Sequence, residues 1–139
     1  MGDNMVNKGK QWYGYARVAV QGYSAVSGGS SAEYSFFAAP FKCKIIKCSI
    51  IPDSTITGAN TNNCVLSFVN KGSSGTGTST IASKTFSSGV NASEYDETDL
   101  GAVSNNLLNE GDVVTFKKSE NGTGMTMPAL TAKIEYVRV

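Results

Sequence analysis

The sequence predicts an all-β protein, folded as a single jelly-roll-like antiparallel β-sandwich with an N-terminal arm or strand. Apolar residues recur at every second position, and clusters of Gly, Asn and Ser interrupt these runs before a third helical turn could form. The 139 residues suffice for one domain with a real core, and 40% of them are hydrophobic. Antiparallel strands that bury one face each must close on a second sheet, so a sandwich follows.

Eight segments carry the alternating pattern, and turn-forming residues bound each of them. In chain order they are 12–23, 34–38, 41–51, 64–69, 81–86, a weak segment near 99–103, 112–118 and 130–139. The long connections at 52–63 and 70–80 favour crossovers between two sheets over a simple meander.

The N-terminal part is predicted to be distinct from the sandwich. We divide the chain into residues 1–31, an arm or strand that ends in the Gly/Ser hinge VSGGSS (26–31), and residues 32–139, the β-sandwich domain. Alternation through Ala16, Val18 and Val20 equally suits an internal strand, in which case the hinge is only a hairpin loop. Both alternatives hold if this strand pairs with a neighbouring subunit.

The stretch FKCKIIKCSI (41–50) contains two apolar sets that are one residue out of phase. A β-bulge at Ile45–Ile46 would turn both sets inward. The alternative is a strand that is buried on both faces, with lysine stems along its edge. The sets are Phe41, Cys43 and Ile45, then Ile46, Cys48 and Ile50. The other residues predicted to face the core are Leu66, Phe68, Phe116, Ile134 and Tyr136.

The three cysteines, Cys43, Cys48 and Cys64, are odd in number and include no CxxC pair. They therefore indicate buried free thiols rather than a disulfide framework or a zinc site, which fits synthesis in a reducing cytoplasm. No apolar run has the length of a signal-peptide core, or of the roughly 20 residues of a membrane span. We expect no membrane association.

The sequence does not favour an enzyme. It contains no histidine, which removes the usual general base, the Ser-His and Cys-His dyads and the commonest metal ligand. The acidic run EYDETD (94–99) lacks the spacing and the glycine of an EF-hand, and we interpret it as a solvated loop. The run GSSGTGTS (72–79) lacks the Lys-Ser/Thr of a phosphate-binding loop and is expected to be a flexible surface loop. We predict no catalytic residue, no metal and no cofactor.

The distribution of charged and aromatic residues indicates which kinds of partner the protein can bind. The net charge is only +1, so neither nucleic acid nor an anionic membrane is an expected partner. Residues 1–50 carry six Lys/Arg and two acidic residues, whereas residues 51–120 carry four and eight, an asymmetry that would help copies dock on one another or on a charged partner. The candidate partner-binding residues are of types favoured at interfaces or in base and sugar stacking: Trp12, Tyr13, Tyr15, Arg17 and Tyr23. The alternative is that these side chains pack on the sandwich.

Four tracts carry a resemblance to a known class of domain: FFAAPFKCKIIKCSIIPD, TNNCVLSFVNKG, IASKTFSSG and LLNEGDVVTFKKSENGTGMTMPALTAKIEYV. Together they resemble the small β-sandwich of tailed-phage capsid decoration (cement) proteins and related virion domains. The resemblance covers roughly residues 36–139 and is most specific at 111–112 and 128–136. Residues 1–35 are not covered.

The resemblance implies a structural virion protein made in the host cytoplasm. It would be a decoration protein on the capsid exterior that binds the major capsid protein and itself, as a homotrimer, and stabilises the head. The alternative is a receptor- or carbohydrate-binding head domain of a fibre or spike. The loops 52–63 and 70–80 contain no Trp or Tyr, which counts against sugar binding.

Overall fold

The computed structural model describes residues 15–139, and these residues form β-strands, turns and loops without a helix. Accordingly, no helix within this range has the length and apolarity to cross a membrane. The strands are β1 (Arg17–Tyr23), β2 (Ala32–Ala38), β3 (Cys43–Pro52), β4 (Asn63–Gly72), β5 (Ser79–Thr85), β6 (Thr98–Asp99), β7 (Leu107–Leu108), β8 (Val113–Asn121) and β9 (Leu130–Arg138).

Two antiparallel sheets make up the fold. The first has the strand order β1-β9-β3-β6, with β7 also paired to β3, and the second has the order β2-β8-β4-β5. The strand pairs are nested in the sequence: β4–β5 is the innermost, followed by β3–β6, β2–β8 and β1–β9. This is the pattern of one long hairpin that is rolled up so that successive pairs alternate between the two sheets. This is the topology of a jelly roll. The predicted fold class is confirmed. The connection at 52–63 crosses between the sheets as predicted, but the prediction of a crossover at 70–80 is wrong, because this connection closes the β4–β5 hairpin within the second sheet.

The core lies between the sheets and contains the side chains that the alternation predicted to face inward. Phe68 and Phe116, from adjacent strands of the second sheet, meet edge to face with ring centroids 5.2 Å apart. The buried apolar side chains of both sheets form one continuous hydrophobic cluster with these two rings. All five residues predicted for the core are buried: Leu66, Phe68, Phe116, Ile134 and Tyr136.

A β-bulge interrupts the pairing of β3 with β9, at the place that the sequence predicted. The register shifts between Ile45 and Lys47, which leaves Ile46 as the extra residue. Ile45 and Cys48, on either side of the bulge, are both fully buried. The prediction that Ile46 also faces inward is wrong, because it is 44% exposed. A bulge keeps both flanking sets inside by leaving its one extra residue outside.

The segment between β5 and β8 differs most from its prediction. The weak strand expected at 99–103 is only Thr98–Asp99, and the pairing of Leu107–Leu108 with β3 was not predicted. Asn106 helps to hold this segment on the sheet, since its side-chain amide donates to the Ile45 carbonyl at 2.6 Å. Two-residue strands leave too short a pattern for alternation to reveal.

The described part of the N-terminal segment is hydrogen-bonded to the sandwich. β1 pairs with β9 along its whole length, from Arg17 opposite Tyr136 to Tyr23 opposite Leu130. In the predicted hinge, the backbones of Val26 and Met127 exchange two hydrogen bonds of 2.9 Å. Residues 15–31 are therefore attached to the sheets of the same chain. The division at residue 31 stays a prediction, because residues 1–14 lie outside the described range.

Lys118 anchors the same turn from inside the sandwich. Its side chain is only 1% exposed. The ammonium group donates to the carbonyls of Ser27 at 3.0 Å and Ser30 at 2.8 Å, and pairs with the Glu120 carboxylate. Glu120 in turn accepts a hydrogen bond from the Met125 amide at 2.8 Å. One buried cation thus connects the turn after β1 to the loop after β8, with all three of its donors used.

Candidate docking face

The outer faces of the two sheets differ in chemistry. The second sheet turns mostly polar side chains outward, such as Glu33, Ser67 and Lys117, which alternate with core residues along their strands. The first sheet exposes large apolar side chains, and we call this surface the docking face. Its apolar residues are Val18 (55% exposed), Val20 (58%), Ile46 (44%) and Leu107 (55%).

The strand register explains how these residues come together. Ala19 packs against the core, so Val18 and Val20 on either side of it point to solvent. Val18 lies opposite Glu135, and Val20 lies opposite Lys133. Outward alternation on an edge strand thus places two valines beside the charged residues of β9.

Leu107 extends the apolar character to the other side of the sheet. It lies opposite Lys44 of β3, whose other cross-strand neighbour is Val137 of β9. Both Lys44 and Leu107 are exposed. The docking face therefore crosses the sheet from β1 to β7, rather than forming an isolated spot.

A network of charged side chains lies in the middle of the docking face. Glu97 contacts Lys47 at 3.3 Å and Lys133 at 3.2 Å. Glu135 contacts the same two lysines at 4.0 Å and 3.6 Å. The two positive charges are thus matched by two negative ones, and the centre of the face carries little net charge.

Hydrogen bonds fix the ionisation of this network. The Ser49 hydroxyl donates to Glu97 at 2.7 Å, and this bond, followed by those from Lys133 and Lys47, holds the pKa of the Glu97 carboxyl below its usual value. The hydrogen bond to Glu97 likewise raises the pKa of Lys47. Glu97 and Lys47 thus each stabilise the charged form of the other.

The structure places three of the five predicted partner-binding residues. Tyr15 is 59% exposed, just before β1. Arg17 lies with its guanidinium carbon 5.0 Å from the centre of the Phe41 ring. Trp12 and Tyr13 are outside the described residues. The role of the set in partner binding stays a prediction.

Tyr23 packs inside the sandwich. Its ring stacks between Tyr34 and Phe116, at centroid distances of 4.8 and 5.4 Å, and its hydroxyl donates to the Ser35 carbonyl at 3.0 Å. Burial raises the pKa of this tyrosine to about 12. These contacts join the two sheets at the end of β1.

The apolar residues of the docking face were not selected from the sequence. Alternation through Ala16, Val18 and Val20 was compatible with an inward set, whereas the structure turns Arg17 and Ala19 towards the neighbouring side chains of the interior. Both sets in β1 contain small or apolar residues, so periodicity alone does not select the buried one. The valine set of β1 includes no aromatic residue or leucine, and this was the one sign in the sequence that it is not the buried set.

The remaining sequence candidates are accounted for in the structure. Cys43, Cys48 and Cys64 are free and buried, as predicted, and burial raises the pKa of Cys48 to about 12 and of Cys64 to about 11. The acidic run 94–99, predicted to be a solvated loop, is exposed at Tyr95 (74%), but its end is not a loop, because Thr98–Asp99 form β6 and Glu97 belongs to the ion network. Across residues 15–139, no group of three or more acidic or cysteine side chains is placed to hold a metal ion.

A shallow groove crosses the outer face of the second sheet. Its volume is about 230 Å³, and hydroxyl groups such as those of Ser67 and Thr80 line it together with Lys117. At its rim, Glu33 accepts a hydrogen bond from the Thr115 hydroxyl at 2.6 Å and contacts Lys71 at 3.4 Å. The Thr115 bond, with help from Lys71, lowers the pKa of Glu33. The groove is polar and contains no aromatic ring among its lining residues.

Comparisons with known proteins give little. No protein family matches the sequence, and no curated protein is significantly similar to it. Among solved structures, the chain is similar to one described as the structure of infectious bursal disease virus, Gx strain, with a TM-score of 0.38 and 8% sequence identity. The similar region covers 89% of this chain and 32% of that chain, so the chain spans about a third of the length of its structural neighbour.

Proposed function

We propose that the protein is a non-enzymatic structural component of a virus particle, and specifically a decoration protein that binds the outer surface of a phage head and stabilises it. The observation that carries this proposal is the docking face, which exposes Val18, Val20 and Leu107 on one sheet while the other sheet is polar. Exposed apolar side chains around matched charges are typical of a protein interaction surface.

The rigidity of the fold supports the same role. The docking side chains lie on paired strands of a jelly roll, and this pairing holds them in fixed positions. Burial of such a face across the boundary between capsid subunits would link those subunits, and many copies acting together would stabilise the head. The sequence resemblance to decoration proteins supports the same interpretation.

The partner is proposed to be the major capsid protein. Full burial of an exposed apolar side chain contributes about 1.5–3 kcal/mol, and these residues are already about half buried, so each contributes roughly half of that amount on binding. The central ion network has no excess charge to repel either sign of partner. The homotrimer that the resemblance implies stays a prediction.

Two measurements test the proposal. Mass spectrometry of purified virions should detect the chain as a component of the particle. Purified protein should then co-sediment with heads that lack it. Leu107→Lys should weaken this binding at least about tenfold, because it places a charge where an apolar side chain would be buried in the complex. The matched control is Ser83→Lys, which adds the same charge to an exposed position of the second sheet.

Either of two results would overturn the proposal. One is the absence of the chain from purified particles. The other is equal binding of heads by the Leu107 and Ser83 variants, because a docking face on the first sheet predicts that only the former loses affinity.

The groove on the second sheet supports a second candidate, a receptor- or carbohydrate-binding head domain. Its hydroxyl groups and Lys117 can exchange hydrogen bonds with a polar ligand, although its lining residues include no ring for a sugar to stack on. A glycan-binding assay with Ser67→Val as the disabled variant tests it. Binding that survives this change would exclude the groove as the site.

A further inference from the structure

The edge strands of the two sheets are not equally protected against pairing with another chain. Of the described strands, β6 and β7, which both pair with β3, are only two residues long each. β2 carries Glu33 on its outer face and a bulge at Phe36. β5 carries Lys84 and a bulge at Ile81. Short length, charge and bulges are the usual means by which an edge strand avoids a partner.

β1 has almost none of these features. Its seven residues, RVAVQGY, include no proline, lysine or acidic residue, and its register with β9 is unbroken. Its one charge, Arg17, lies at the start of the strand against the ring of Phe41. Among the described residues, no strand pairs with its other edge. β1 is therefore a regular strand with two exposed valines and an edge that no described strand covers.

We propose that β1 pairs with β1 of a second copy of this chain, antiparallel and about a two-fold axis, so that the two first sheets become one continuous sheet. The biological purpose of this dimer rests on the proposed function. The contact itself depends on the sequence and the position of β1.

The composition of β1 favours pairing with itself in one register. If Ala19 lies opposite Ala19 of the second copy, Val18 lies opposite Val20, and the four exposed valines form one apolar cluster. In the same register Arg17 lies opposite Gln21, so like charges are not opposed. Centring on Val20 instead would place Val18 opposite Gly22 and leave it without a partner side chain.

The symmetry suits a protein that docks on a surface. A two-fold axis that relates paired strands of one continuous sheet runs perpendicular to that sheet, so outward residues stay outward in both copies. Both docking faces would then point in the same direction and meet at the valine cluster. The dimer would present two adjoining faces, and the second contact with a head would become intramolecular.

Sedimentation velocity on the full chain tests the pairing. One strand pair buries less area than the about 1,600 Å² of a standard interface, so we expect a weak dimer that is populated as the concentration approaches about 1 mM. Val20→Lys, which adds the charge that β1 lacks at an exposed position, should abolish the dimer. Leu107→Lys should leave the dimer intact, because Leu107 is on the docking face but not on β1.

Disulfide trapping tests the register. Residues directly opposite in an antiparallel pair have Cα atoms about 4.5–5.5 Å apart, which is within reach of a disulfide. A mixture of Val18→Cys and Val20→Cys chains should therefore oxidise to the mixed dimer, whereas either variant alone should not. The native cysteines are buried and do not compete.

The outcomes separate this inference from the proposed function. A wild-type chain that stays monomeric at about 1 mM, or self-association that Val20→Lys does not disturb, would overturn the β1 contact. A dimer that forms as described but does not bind heads would overturn the decoration role and leave the contact in place.

Discussion

Replacing Lys118 with methionine should destabilise the protein strongly. The ammonium group of Lys118 is buried and forms an ion pair with Glu120. The side chain of Glu120 is itself only 12% exposed. Methionine fills nearly the same volume but removes the cation that pairs with that carboxylate and the donor to the carbonyls of Ser27 and Ser30. Removal of one partner of a buried ion pair costs about 3–5 kcal/mol, and we expect Lys118→Met to lie in this range.

Urea unfolding followed by far-UV circular dichroism at pH 7 gives the free energy of unfolding by linear extrapolation. Lys117→Met is the matched control on the same strand, since Lys117 is only half-buried, and it should change stability by no more than about 0.5 kcal/mol. Adding Glu120→Gln to Lys118→Met removes the unpaired charge, so the double variant should recover part of the loss. A cost below about 1 kcal/mol for Lys118→Met would refute this account of the buried lysine.

Three further predictions concern the core, the thiols and the ion network. Phe116→Ala, at a position only 1% exposed, should cost about 3–5 kcal/mol, and a cost under about 1 kcal/mol would contradict its place in the interior. Because burial raises the pKa of Cys48 to about 12 and of Cys64 to about 11, a thiol reagent at pH 7 should label the native protein slowly and the unfolded protein fast; rapid native labelling would speak against this. The Ser49 hydrogen bond lowers the folded pKa of Glu97 below its reference value of 4.5, so its contribution is present above that pH and is lost as the pH falls through the folded value. Between pH 7 and pH 3, Glu97→Gln should therefore lose less stability than the wild type, and equal losses in urea midpoint would rule this effect out.

The fold was largely predictable because most strands bury one face against an apolar interior. In β4 and β8, large residues such as Phe68 and Phe116 occur at one parity, so alternation selects the buried face without ambiguity. β1 is different, since Arg17, Ala19 and Gln21 alternate with Val18 and Val20 on a strand at the edge of its sheet. Its buried face is set by contacts with β9 and the core, and these are long-range.

The docking face was less predictable for the same reason. Lys47, Glu97, Lys133 and Glu135 come from three distant parts of the sequence, and they meet only because β3 and β9 pair across a bulge. A shift of one residue in that register would turn Lys133 and Glu135 away from this face. The bulge could be located from two apolar sets that are out of phase, but its exposed Ile46 could not be distinguished from an inward one.

The nested strand pairs have a kinetic consequence. The β4–β5 hairpin joins neighbours in the sequence, whereas β1 with β9 joins the two ends of the described chain. Loop-closure entropy favours early formation of local pairs, and each inner pair shortens the loop that the next one must close. β1 is thus expected to be the last strand to join its sheet. While it is absent, the edge of β9 can accept β1 from another nascent chain, so strand exchange between copies would compete with correct folding at high expression.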